Sequence, residues 1–138
     1  MTHRKPYYFA HPYSAPPDAG PGESRNICWH NFEACNARAG RLIRLGYVIL
    51  SPISHSHPID METYRAGEPV PPEEWYAQDF AIIAATDWAG LILAPGWAFS
   101  KGCQWECARF EERELPIHKY ADVIAAGPVT DGKVPTLG

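Results

Sequence analysis

Basic runs are missing from this chain. Its 12 Lys and Arg are outnumbered by 16 Asp and Glu, for a net charge of −4. That argues against a protein living on nucleic acid, whose affinity comes mainly from clustered cations on phosphates. A small anionic ligand needs only a charge or two and some backbone donors, so that class stays open. Long apolar runs are missing too: none approaches the roughly 18–20 residues of a membrane span. The opening MTHRKPYYFAHPYS has neither the apolar core nor the cleavage site of an export signal. Cysteine is sparse. Cys28, Cys35, Cys103 and Cys107 fall as two pairs within expected helices, where such spacings serve packing better than a disulfide. Reduced thiols in a cytoplasmic protein are the expectation.

What is present suits one globular domain. The 138 residues, 46% hydrophobic, support one real core but not two. A single domain over residues 1–138 is expected, with an ordered core from about 6 to 125 and a tail that frays. No internal repeat is visible.

Residues 6–11, PYYFAH, read as a first strand, and the Pro- and Gly-rich PYSAPPDAGPGES after it reads as a long loop. Cys28, Phe32, Cys35, Ala39 and Leu42 then repeat at helical spacing. Gly46 is placed to end that helix, and YVILS follows as a second strand. Residues 52–70 read as a second long loop. PPEEWYAQDFAIIAATD reads as a helix with Pro, Glu73 and Glu74 at its positive end. WAGLILAP is a continuous apolar run, the pattern of a central parallel strand. Another helix follows from Ser100, then PIHKY as a fourth strand, with an edge strand expected at Val123-Ile124. Strand and helix alternate, which predicts a small doubly wound α/β domain, flavodoxin- or Rossmann-like, with a parallel sheet of four to five strands and flanking helices. In such sheets ligands collect beyond the carboxyl ends of the strands, where both long loops and GWAFSKG would fall.

Two carboxylates break the apolar pattern. Glu106 lies three residues after Cys103 and four before Phe110, on the inward face of its helix. Asp79, four after Trp75 and three before Ile82, does the same on the preceding helix. A buried carboxylate costs several kcal/mol unless paired or neutralised. An ion pair or a cap explains one such acid; two aimed at one edge favour a site. Paired acids in different environments are the machinery for breaking a glycosidic bond. Ser100 is an N-cap or a phosphate ligand, Gly102 lets a ligand approach the backbone, and Lys101 adds charge.

These residues bring the chain close to a known family. YYFAHPYS, Arg25, LGYVILSPISHSHP, WYAQDFAIIAATDWAGLIL and PGWAFSKGCQWECA resemble the nucleoside 2-deoxyribosyltransferase-like superfamily, which includes 2′-deoxynucleoside 5′-phosphate N-hydrolases. Within it the chain is most similar to the branch known as domain of unknown function 1937. The resemblance runs from about Tyr7 to Tyr120, and its specific part is Asp79, Asp87, then Ser100-x-Gly102-x-x-x-Glu106. It implies that Glu106 attacks C1′ of the sugar to form a glycosyl-enzyme ester, which water or a second base resolves. It implies further that Asp79 gives a proton to the leaving base, that Tyr8 orients the nucleophile, and that Ser100 and Gly102 hold a 5′-phosphate. It also implies a homodimer or larger homo-oligomer. One departure stands out: phosphate-specific members carry Gly-Ser-x-Arg after the first strand, where this chain has HPYS. His11, Arg25 or Lys101 would have to substitute; otherwise the substrate is the free nucleoside.

The remaining candidates have plainer alternatives. Asp87 reads as a turn or cap. His55 and His57, if extended, face one side and contact base or phosphate, or, with a carboxylate, hold a metal. Cys103 and Cys107 read as core rather than zinc ligands. Trp75 and Trp97 either stack on a nucleobase or pack. The leading expectation is an N-glycosidase or deoxyribosyltransferase acting on a nucleoside or its 5′-monophosphate, without metal or cofactor, nucleic acid or membrane. A non-catalytic nucleotide-binding module and a metal-dependent hydrolase are the competing readings.

Overall fold

Tyr7, Tyr8, Phe9 and Ala10 are all buried and form an inner strand, β1 (Tyr7–Ala10). Alternate side chains of a strand point to opposite faces, and β1 serves two cores. Tyr7 and Phe9 join Cys35, Ala39, Leu42, Ile92 and Val123. Tyr8 and Ala10 join Ile83, Leu91, Leu93, Cys103, Cys107 and Phe110.

The computed structural model describes residues 4–137; Met1, Thr2, His3 and Gly138, which the single-domain reading takes in, lie outside the described residues. After β1 come α1 (Pro21–Arg44), β2 (Ile49–Leu50), α2 (Pro52–Arg65), α3 (Pro72–Ala85), β3 (Gly90–Leu93), α4 (Lys101–Glu112), β4 (Ile117–Lys119) and α5 (Tyr120–Ala126). The sheet is parallel throughout, in the order β2-β1-β3-β4. Helices α1 and α5 supply one core, α3 and α4 the other, so the sheet is doubly wound. The chain leaves β1 for β2 on one side and crosses back to β3 on the other. The carboxyl ends of β1 and β3 are therefore the switch point where such folds open a crevice.

Local signals explain most boundaries. Pro21 starts α1, Glu23 lies in its first turn and Arg41 and Arg44 in its last, all favourable to the helix dipole. Gly46 takes φ +95°, its N–H donating to the Ile43 carbonyl and that of Tyr47 to Leu42. At Gly90 a Cβ would lie 2.7 Å from the Pro116 carbonyl oxygen, and this bare backbone lets β4 approach β3.

Three expectations are corrected. The loop expected over 52–70 is largely helix α2. Its polar SHSHP run and interior Pro58 disguise it, since a Pro inside a helix costs about 3 kcal/mol. Tertiary packing overrides that penalty: Pro52 and His57 are buried and Ile53 lies against the core. The edge strand expected at Val123-Ile124 is helix α5, in which Val123 plugs the first core and Ala121, Ala125 and Ala126 favour the helix. The first long loop ends earlier than expected, because α1 begins at Pro21 and Arg25 sits inside it. The tail lies back on the domain, with Val129 and Leu137 against the first core and a Thr130–Lys133 bridge.

Candidate active site

Glu106 is buried midway along α4, and the Tyr8 hydroxyl donates a hydrogen bond to its Oε2. The register of the fold makes this contact. Tyr8 is the strand residue that points to the α4 side, and Cys103, Cys107 and Phe110 dock α4 on the same core. Phe110 and Trp88 pack around the Tyr8 ring, with centroids 5.5 and 5.4 Å away. Burial pushes the Glu106 carboxyl up to about 8; the Tyr8 hydrogen bond opposes this and the charge of Asp79 adds to it. Tyr8 itself is held well above its ordinary value, by burial first and then by Glu106 and Asp79.

Asp79 comes from α3 and is half-buried. Burial raises it to about 6, with His55 pulling the other way. Its charge is felt by both Glu106 and Tyr8. Of the three residues singled out as catalytic, Tyr8 and Glu106 are joined by a hydrogen bond, and Asp79 from α3 acts on them through its charge alone. Ser100 caps α4, its Oγ accepting from the Cys103 N–H at 3.2 Å. A Cβ placed on Gly102 would sit 3.9 Å from both Ser100 Oγ and the Tyr76 hydroxyl oxygen. Lys101 is exposed beside them. Trp97 lies in a short 3-10 turn, Trp97–Phe99, partly buried against the Tyr8 core.

The other candidates are placed elsewhere. His11 follows the parity of Tyr7 and Phe9. Its Nδ1–H donates to the Pro12 carbonyl and its Nε2 accepts from Arg38, both at 2.8 Å. Burial, and then the Arg38 charge, lower its pKa, so the ring is neutral. Arg25 is exposed in α1. His55 and His57 do not face one side: two residues apart on a helix point in nearly opposite directions. His55 is exposed, whereas His57 is buried, stacked on Phe32 at 4.2 Å and bonded through Nδ1 to the Tyr13 hydroxyl at 2.6 Å. Among the described residues no three His, Cys, Asp or Glu side chains gather as a metal would need. Trp75 ties α3 to α2, its indole N–H donating to Asp60 at 3.3 Å. Asp87, just past the Thr86 cap of α3, is an exposed partner of Lys5 at 3.3 Å. The four cysteines are free.

Sequence reasoning missed Arg38, Tyr13 and Tyr76. Tyr76 was the findable one, since it stands one turn before Asp79 on the same helix. Two shallow depressions, of about 260 and 570 Å³, lie away from the acids, one beside Arg4, Tyr7 and Tyr47 and one over Asn36 and Arg44 on α1. Neither is lined by Tyr8, Asp79 or Glu106.

The chain is a small doubly wound α/β protein with a buried glutamate–tyrosine pair and a second, half-buried acid beside it. The chain belongs to the family described as Domain of unknown function (DUF1937), which matches residues 5–122. No curated protein matches it. Among the described residues no helix is long and apolar enough to cross a membrane.

Proposed function

We propose that this protein is a member of the nucleoside 2-deoxyribosyltransferase-like superfamily that cleaves or exchanges the N-glycosidic bond of a nucleoside or its 5′-monophosphate. The observation that carries this reading is the buried Tyr8–Glu106 hydrogen bond, with Asp79 close enough for its charge to act on both. A glutamate aimed inward, oriented by a phenol and paired with a second acid, is organised for attack on a carbon.

In the first step a Glu106 carboxylate oxygen bonds to C1′ while the bond from C1′ to the base nitrogen breaks. The electron pair leaves with the base, which takes a proton from Asp79. Tyr8 holds the attacking carboxylate in one rotamer. In the second step water attacks C1′, Asp79 accepts its proton, and the ester oxygen departs as the Glu106 carboxylate. A second base in place of water gives exchange. Ser100, Gly102 and Lys101, at the start of α4, are suited to the 5′ end of the substrate. Trp97, packed against the Tyr8 core, is an aromatic face for the base, with Trp75 on the neighbouring helix α3. Exposed Tyr76 and Phe80 on α3 and Phe99 before α4 fit a homo-oligomer whose contact lies near the site.

One observation favours a second reading, a nucleotide-binding module without turnover. With its proton held to about pH 8, Glu106 is a neutral donor at pH 7, which suits recognition as well as attack. Chromatography of free base after incubation with ribo- and deoxynucleosides and their 5′-monophosphates separates the two. Base released by the wild type and not by Glu106→Ala supports catalysis. Tight binding with no base from any substrate gives the binding module.

A further inference from the structure

Helix α3 is held at two points, and Asp79 stands midway between them. Its inward stripe is narrow: Trp75, Asp79, Ile82 and Ile83 turn away from solvent, while Tyr76, Phe80 and the alanines among them are exposed. Trp75, Asp79 and Ile83 are spaced by four and so share one face. Ile83, the buried residue of α3, docks the carboxyl-terminal half on the second core. Arg113 fastens that end further, donating to the Ile83 carbonyl and, at 3.1 Å, to that of Thr86. The Trp88 indole also donates to the Ile83 carbonyl, at 3.0 Å.

The amino-terminal half has no such anchor in a core. Pro72, Glu73 and Glu74 are exposed, and the Tyr76 ring makes an exposed edge-on contact with Trp105 of α4, centroids 5.0 Å apart. What ties this half down is the Trp75 indole N–H, which donates to Asp60 Oδ1 at 3.3 Å. Among the described residues it is the single side-chain hydrogen bond between α2 and α3. Helix α2 is a firm support for it. His57, one turn before Asp60, is buried, stacked on Phe32 of α1 at 4.2 Å and bonded to the Tyr13 hydroxyl at 2.6 Å. The Asp79 carboxyl responds to burial and to the charge of His55 on α2, and has no hydrogen bond of its own among the described residues. Its place beside Glu106 is therefore set by where α3 lies. A reacting group misplaced by about 1 Å loses about a hundredfold in rate.

We propose that Trp75 is a positioning residue for Asp79: its indole N–H, held by Asp60, fixes the amino-terminal half of α3 and with it the place of the acid beside Glu106. This rests on the glycosidic reading above, in which Asp79 hands its proton to the base. Trp75→Phe removes the donor and keeps an aromatic ring; Asp60→Ala removes the acceptor. With α3 loosened, Asp79 gains water. Its carboxyl, titrated by carbon-13 NMR, should then move from about 6 down towards the ordinary aspartate value. The plateau of kcat/KM should fall about tenfold through kcat, and its acid limb should follow Asp79 downwards. Asp60→Asn keeps an oxygen for the indole and drops the charge, so it should match wild type in both measurements. An Asp79 titration in Trp75→Phe equal to wild type overturns the proposal, as does an Asp60→Asn variant as impaired as Asp60→Ala. A change confined to KM also overturns it, by making Trp75 a contact for the base. The NMR arm needs no turnover. Absence of base release therefore defeats the glycosidic reading alone, while an unmoved titration defeats the role of Trp75 alone.

Discussion

Tyr8 and Glu106 are 98 positions apart in the chain and share a hydrogen bond in its interior. One comes from the central strand and the other from a helix laid across the second core, so the bond exists only when both are in register. Tyr8→Phe leaves the ring packed between Trp88 and Phe110 but removes the donor. We expect kcat to fall by one to two orders of magnitude, with the fold retained in circular dichroism. Retention of full kcat would show that Tyr8 is only a packing residue.

Burial of Glu106 has a signature in stability. An unfolded glutamate loses its proton near 4.5, whereas the folded one keeps it to about 8. Between those values the native state binds more protons than the unfolded state, so this residue withdraws stability as pH rises and the loss is complete above about 8. Glu106→Gln, which still accepts from Tyr8, should therefore be neutral near pH 4 and stabilising by about 2–4 kcal/mol near pH 8. Denaturant titrations at both pH values check this. A stabilisation independent of pH contradicts it.

The pH–rate profile follows from the same pair. With Asp79 near 6 and Glu106 near 8, the two hold one proton between those limits, and the reaction needs it on Asp79. A bell-shaped kcat/KM with limbs near 6 and 8 is expected. In Asp79→Asn the alkaline limb, set by loss of the donor's proton, is gone and so is the repulsion of the Glu106 charge. The residual activity, reduced at least a hundredfold, should rise through a single limb below 8 and stay high in alkali.

Ser100→Ala removes the cap of α4 and should cost about 1 kcal/mol. Because α4 carries Glu106, a rise in KM for phosphorylated substrates beyond that for nucleosides would show that Ser100 also touches substrate. Equal KM changes would leave it as a cap.

Gly90→Ala tests the sheet rather than the site. The new methyl would lie 2.7 Å from the Pro116 carbonyl oxygen, and forcing β3 and β4 apart should cost about 1–3 kcal/mol. A variant as stable as wild type would mean that β4 is free to shift.

The sequence alone determined the alternation of strand and helix, because apolar periodicity, Pro at helix starts and Gly46 at a helix end are local signals. It also singled out Glu106 and Asp79, since a charge on an apolar stripe is visible without coordinates. It misread α2, where packing of Pro52 and His57 outweighs Pro58 and a polar run, and α5, where Val123 packs into the first core from a helix. Only the tertiary structure decided which inward residues meet. Tyr8 rather than Tyr7 faces Glu106 because β1 alternates between two cores, and His55 and His57 part because α2 is a helix. Tyr76 reaches Gly102 because α3 and α4 lie side by side. Such pairings depend on long-range register, and hydrophobic periodicity carries no information about it.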